Sequence, residues 1–267
     1  MQMRHPRVCR YLIVVLSSLC STAAFGADDE IATDRPDFVE SSNVVGKGRF
    51  QIETSIAAER SKHDGVRERL LSTPTLLRIG ISDTLELRVE TDGRLQARAT
   101  ADGGPTFKAN GYADTALGIK WHALDAAGNA PSVGVLAHLD LDSGSAPFRA
   151  AGKGGSLRVV GEWELPAGMS LGVMPGVSWQ RDDNGERYAA AIFGIVVGKE
   201  WNERLRSFLE LSAPHIARSG HGGTESTVDV GVAWLVTPTV QLDTAFSRGL
   251  TRHTADQALT VGLSVKF

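Results

Sequence analysis

Cysteine is nearly absent: the 267-residue chain has two, Cys9 and Cys20. Both fall within the first 26 residues, so the part beyond them carries no thiol and no disulfide, the safe composition for a chain that crosses an oxidising compartment unfolded. Long apolar runs are missing as well. No stretch of 18 apolar residues follows position 26, which excludes a helical membrane span, and anything here that crosses a bilayer must do so as strands. Positive charge is not in excess either. With 28 Lys and Arg against 31 Asp and Glu the net charge is −3, and loss of the first 26 residues would remove three arginines and no acid. That balance argues against nucleic acid as a partner. No Pro/Ser-rich linker divides the remainder, so one domain is expected.

The beginning of the chain reads as a targeting segment. Arg4, Arg7 and Arg10 form a basic start, Tyr11 to Leu19 is a short apolar stretch, and Ala24-Phe25-Gly26 offers small residues for cleavage before Ala27. The apolar stretch is well short of the ~20 residues of a membrane helix. Cys20 invites a lipoprotein reading, but Leu19 stands where a small residue is wanted. Residues 1–26 are therefore expected to be a signal peptide.

Alternation of apolar and polar residues with period two recurs from residue 48 to the end, about twelve times, as a sheet with two unlike faces requires. Leu85-Glu86-Leu87-Arg88-Val89-Glu90 is the clearest case, because a helix would scatter those charges around its circumference. The remaining strands are expected near 49–59, 70–79, 114–122, 132–141, 157–164, 171–180, 188–199, 205–212, 227–235, 240–247 and 258–267. Pro74 and Pro175 fall inside two of them, and each predicts a bulge or local break because proline removes a ladder donor. Connections alternate between short ones (82–84, 123–130, 165–168, 200–204, 236–239) and longer polar ones (60–69, 99–113, 142–156, 181–187, 213–226, 248–257). That asymmetry is expected of an outer-membrane barrel with short periplasmic turns and longer outside loops. Trp121, Trp163, Trp201 and Trp234 lie at the short-turn side and Trp179 and Tyr188 at the other, as interfacial aromatic girdles would. The chain ends on an alternating run closed by Phe267, which resembles the terminal signal read by the outer-membrane barrel assembly machinery. The expectation is an all-β, antiparallel transmembrane β-barrel of about twelve strands over 48–267, in a bacterial outer membrane, in contact with its lipids and lipopolysaccharide. A soluble sandwich or periplasmic lipid-binding barrel shares the alternation. The aromatic rim, terminal Phe267, loop asymmetry and missing cysteines favour lipid outside.

The run Thr33-Asp34-Arg35-Pro36-Asp37-Phe38, followed by Glu40-Ser41-Ser42 and Gly48-Arg49-Phe50-Gln51-Ile52-Glu53, resembles the start of the outer-membrane transporter family named for the meta-pathway of phenol degradation. The blocks from Arg78 to Arg88 and from Gly118 to Trp121 resemble further parts of it. The resemblance implies a transporter-like barrel that passes small, often aromatic or hydrophobic solutes.

On the strand parity, Glu53, Arg78, Glu86, Arg88, Glu90, Lys120, His122, His138, Asp140, Arg158, Glu162, Glu164, Arg206, Glu210, Asp229 and Asp243 project to one side. That side is expected to be the lumen, since Arg or Lys facing acyl chains at mid-depth costs about 2–4 kcal/mol. Such residues either line a charge-selective pore or form an ion-paired network that fills a narrow barrel. Residues 27–47 precede the first strand, and Pro36 keeps them irregular. They are expected at the periplasmic mouth, either as a loose tail or as a plug or latch in which Arg35 and Asp34 or Asp37 pair with lumen charges.

No nucleophile motif accompanies the histidines, so neither catalysis nor a catalytic residue is expected, although an outer-membrane lipid hydrolase is an alternative. His122 and His138 lie on neighbouring strands, a weak basis for a metal, and neither metal nor cofactor is expected. The reading is a passive channel for small solutes, with a non-transporting structural or interaction barrel as the alternative.

Overall fold

The computed structural model describes residues 30–182 and 184–267. The leader expected over residues 1–26 lies outside the described residues. From residue 31 to 49 the chain has no strand or helix. Strands then follow without interruption by any α-helix among the described residues: β1 (Phe50–His63), β2 (Val66–Ser72), β3 (Thr75–Gly80), β4 (Leu85–Thr91), β5 (Arg94–Ala101), β6 (Thr106–Tyr112), β7 (Thr115–Leu124), β8 (Ser132–Leu141), β9 (Gly154–Leu165), β10 (Met169–Arg181), β11 (Arg187–Asn202), β12 (Leu205–Ile216), β13 (Thr224–Thr237), β14 (Val240–Gly249) and β15 (Gln257–Lys266).

These segments form a closed antiparallel barrel of 12 strands. Three barrel strands are each made of two collinear segments, β2 with β3, β4 with β5, and β6 with β7, because β1 pairs with β2 along its second half and with β3 along its first. Closure comes from β15 against β1, in register from Gln51↔Lys266 to Arg60↔Gln257. A closed sheet leaves no unpaired edge for hydrocarbon, the condition for spanning a bilayer with strands.

The two faces carry opposite chemistry. In β1, Gln51, Glu53 and Ser55 are buried while Phe50, Ile52 and Ile56 are exposed. The same inversion holds around the barrel: Leu87, Ile119, Leu157, Leu209, Val232, Leu242 and Val261 point out, and Glu86, Arg88, Lys120, Glu210, Asp229 and Asp243 are buried. Apolar side chains outside and ionisable ones enclosed is a barrel built for lipid. Trp121, Trp201 and Trp234 are exposed near the short turns and Trp179 near the long loops, which places the barrel in the outer membrane with Phe50 and Phe267, stacked at 4.5 Å, at the short-turn end.

Several expected boundaries are corrected. The loops expected over 60–69 and 99–113 are largely strand, and half of that over 213–226 is: β1 and β2 run on to a two-residue turn at Asp64-Gly65, both with positive φ. An Asp-Gly pair in that conformation joins strands directly, so polarity there marked a hairpin outside the hydrocarbon rather than a loop. Pro74 does interrupt its strand, separating β2 from β3. Pro175 leaves β10 continuous against β11 and interrupts only its ladder to β9, which skips Met174 and Pro175.

Candidate functional site

The irregular segment 31–49 lies inside the ring of strands, and the wall charges converge on it. Arg78 from β3 and Glu86 from β4 pair across neighbouring strands, Arg78 Nε to Glu86 Oε1 at 2.9 Å, and Arg78 also reaches Glu53 of β1 at 3.0 Å. Into this wall patch comes Asp34. Its carboxylate accepts from Lys120 Nζ at 2.7 Å on each oxygen, and from Arg88 at 2.6 Å, with Arg78 at 3.3 Å. Burial alone would raise the Asp34 carboxyl, but Arg78, Lys120 and Arg88 together hold it well below its ordinary value. Arg78, Lys120, Glu53 and Glu86 are fully buried. Charges so enclosed persist only with partners, and here the partners come from both the wall and the segment.

Three more segment charges, Arg35, Asp37 and Glu40, are matched in the same way. Arg35 faces Asp243 at 3.5 Å, Asp37 faces Arg206 at 3.2 Å, and Glu40 bridges Arg88 at 2.7 Å and Arg158 at 2.9 Å. Wall groups also satisfy the segment's backbone. Glu210 accepts the Phe38 and Val39 N–H groups at 2.8 and 2.7 Å, Glu162 the Ser42 N–H at 2.5 Å, and Glu86 the Val45 N–H at 2.9 Å. Arg78 donates to the Ala32 and Asn43 carbonyls at 2.7 and 2.8 Å, and Lys120 to that of Ser41 at 2.8 Å. An irregular chain in a closed space has no ladder to satisfy its peptides, so side chains must do it.

Opposite the charged wall lies an apolar one. Leu136, Val160, Met174, Val196, Phe208 and Ala245 from β8 to β12 and β14 cluster with Val39, and Phe38 packs against them. The wall is cut to receive the segment: a Cβ on Gly194 would lie 2.7 Å from a Val39 methyl and 3.0 Å from the Phe38 ring, and one on Gly80 would collide with the Gly46 carbonyl.

Of the remaining candidates, His138 bonds Glu90 at 3.0 Å, and Ser156 lies 3.4 Å from its other ring nitrogen. That Ser–His–Glu line sits in a strand paired on both sides at Ser156, which commits the local N–H groups to the ladder and offers no pair of donors for an oxyanion. His122 turns away to the Ser42 carbonyl at 3.0 Å and to Asp125, so the two histidines do not meet. Glu40, Glu90 and His138 bring ligand atoms within 4.8 Å of one another. The Arg88 guanidinium already fills that space, 2.7 Å from Glu40 and 2.8 Å from Glu90. Asp229 bonds Ser212 and Thr227 rather than the segment, Asp140 lines open space, and Glu164 is exposed at the short-turn rim.

On the long-loop side of the segment is a cavity of about 460 Å³. Its floor is Asp34, Arg35, Asp37, Phe38 and Glu40, and its sides include Leu76, Arg88, Glu90, Asp114, Ala116, Asp140 and Arg158. Sequence reasoning missed Glu40 and the apolar wall. Leu136 shares the parity of His138 and Asp140, and Val160 that of Arg158 and Glu162, so counting alone would have put both inside.

Residues 33–267 match the model of the family described as "Putative MetA-pathway of phenol degradation". The chain belongs to that family. The match takes in the Thr33–Phe38 run and the whole barrel, so in this member the family's span includes both the enclosed segment and the wall that holds it. Among solved structures the chain is similar to the COG4313 outer membrane channel from Pseudomonas putida F1, at 12% identity and TM-score 0.61, with 92% of this chain and 100% of that one covered. It is also similar to the beta domain of the Bordetella autotransporter BrkA (13% identity, TM-score 0.53, 83% and 100% covered) and to the transport unit of the autotransporter AIDA-I from Escherichia coli (10%, 0.51, 86% and 93%). At these identities the likeness is one of fold. No curated protein matches the chain.

Proposed function

We propose that the protein is a passive outer-membrane channel for small solutes, and that residues 31–49 are a plug that closes it towards the periplasm. The observation that carries this reading is the way the segment is held. The contacts are ion pairs and hydrogen bonds whose polar groups water could also satisfy, together with the apolar packing of Phe38 and Val39, so the segment can leave without breaking a covalent bond. The charged lumen residues, from Glu53 and Arg78 round to Asp243, then serve as the docking wall of the closed state and as pore lining once the segment shifts. Mixed signs on that wall do not make a filter for one charge.

The cavity above the plug fits a small organic solute. Its volume lies within the ~300–1,000 Å³ of ordinary small-molecule sites, and it combines apolar faces at Phe38, Leu76 and Ala116 with cations at Arg88 and Arg158. A ring carrying a hydroxyl or carboxylate suits that lining, and the family's description points to aromatic compounds.

Planar-bilayer recording of the full-length mature protein and of a form lacking residues 31–47 tests the proposal. The expected result is rare, small openings for the intact protein and a sustained, larger conductance for the deletion. If both are silent the channel reading fails, and the density of plug contacts would instead favour a sealed barrel with a structural or interaction role. If both conduct alike, the segment is no plug.

A further inference from the structure

Outside the lumen, the outward face of the barrel at its long-loop end carries a feature that the channel reading does not use. Arg60 of β1 stands directly opposite Arg69 of β2, Arg69 opposite Arg98 of β5, and Arg98 opposite Lys108 of β6. Three successive cross-strand pairs of like charge therefore share one row. Residues so paired have Cβ atoms about 4.5–5.5 Å apart, and like charges there are destabilising. On the other side of Arg60, across Gln257 of β15, the same row continues to Arg248 of β14.

All five cations are exposed, and none has an ion pair among the described residues. The next row outward holds Lys62 opposite Arg67, and both of these share Asp102 at 3.3 Å. Arg60, Arg69 and Arg248 with Lys62 and Arg67 line a groove of about 320 Å³, with Asp256 and Glu68 also on its margin. Such a row needs an anion with several charges spaced across neighbouring strands.

The row immediately below says what carries those charges. Two residues down β14, β15, β1 and β2, roughly 6.6 Å at 3.3 Å per residue, Phe246, Leu259, Ala58 and Leu71 stand side by side facing out, while the same row on β5 and β6 holds Gln96 and Asn110. Phe246, Leu259 and Leu71 are exposed to the hydrocarbon. Arg248, Arg60 and Arg69 therefore sit at the upper edge of the apolar band, on the side away from the short turns, where the acyl chains of the outer leaflet end and its head groups begin, and Arg98 and Lys108 extend the cationic row sideways over polar residues. Arginine forks match phosphate oxygens bidentately.

We infer that this face is a binding site for a phosphorylated, multiply acylated glycolipid of the outer leaflet, with phosphate held by Arg60, Arg69, Arg98 and Lys108 and acyl chains against Phe246, Leu259 and Leu71. The site is independent of whether the lumen conducts.

The test uses the purified mature protein in detergent micelles, incubated with bisphosphorylated lipid A, and counts retained lipid by native mass spectrometry. Wild type is expected to retain lipid A, and R69S/R98S to retain it about ten- to a hundredfold less, the scale of one or two charge-assisted bonds. Dephosphorylated lipid A should be lost to a similar extent from wild type, and added inorganic phosphate should not displace lipid A, because the acyl contacts are absent from it. Heat-modifiable gel mobility reports folding. If the double variant does not fold, Arg60→Gln and Lys108→Gln singly should each reduce retention. Equal retention by wild type and variants, equal retention of the dephosphorylated lipid, or displacement by phosphate alone would overturn the site.

Discussion

Lys120 and Asp34 are 86 residues apart in sequence, yet the lysine Nζ lies 2.7 Å from each oxygen of the Asp34 carboxylate, deep inside the barrel. One comes from the middle of a transmembrane strand and the other from the chain that precedes the first strand. Their meeting ties the irregular segment to the wall at the point where Arg78 and Arg88 also converge.

Asp34→Ala should loosen the segment. Breaking a buried ion cluster by removing one partner costs roughly 3–5 kcal/mol, because the charges left behind lose their compensation. The expected outcome is a lower unfolding temperature in detergent and a higher open probability in bilayers. Unchanged melting and unchanged conductance would show that the pairing contributes nothing.

Gly194→Val should act on the same segment from the apolar wall. A Cβ there already comes within 2.7 Å of Val39, so added methyls must push Val39 and Phe38 out of their seat. Overpacking of this kind costs about 1–3 kcal/mol. Since the chain beyond residue 26 has no cysteine, a single Val39→Cys probe reads the effect. Maleimide should label it slowly in the otherwise native protein and at least several times faster with Gly194→Val.

The acid response follows from Asp34. When docked, its carboxyl is held well below the ordinary carboxylate range by Arg78, Lys120 and Arg88. A depressed folded value contributes stability that is present above the unfolded value and lost as pH falls through the folded one. Between pH 7 and pH 5 the Asp34 contribution to docking should therefore not change, and acidification through and below the ordinary carboxylate range should weaken it. The Val39→Cys probe, mixed with a thiol reagent active in acid, gives the profile. Release with a midpoint between pH 5 and 7 would rule out Asp34 as the group that governs it.

Leu136→Ala should be costly despite its position in a lumen. Leu136 is completely buried between Val160 and Met174 and their neighbours, and truncating such a leucine typically costs 2–5 kcal/mol. Thermal unfolding in detergent should show the loss. A water-filled surround at this position would leave stability almost unchanged.

Much of the barrel was legible in the residue order because a strand's side-chain period is two. Leu85 to Glu90 announces a sheet with lipid on one side and charge on the other, and the observed burial of Glu86 and Arg88 against exposed Leu87 follows that pattern. Strand ends were less legible. At Arg60 to Arg69 the strand leaves the hydrocarbon, both faces turn polar, and the pattern that marks a strand disappears although the ladder continues to Asp64-Gly65. The apolar wall was overlooked for a related reason: at Leu136 and Val160 both faces are apolar, so the alternation that sorts inside from outside is locally silent.

What the sequence determined by itself is the choice of strands over helices, the number of crossings and which charges must avoid lipid, since these depend on local period and on the cost of charge in hydrocarbon. Which charge meets which was decided only by the closed tertiary structure. The partners of Asp34, Arg35 and Asp37 lie on β3, β4, β7, β12 and β14, and the row of Arg60, Arg69, Arg98 and Lys108 exists only through strand register. Distances between residues far apart along the chain are set by barrel closure and register, and no local pattern encodes them.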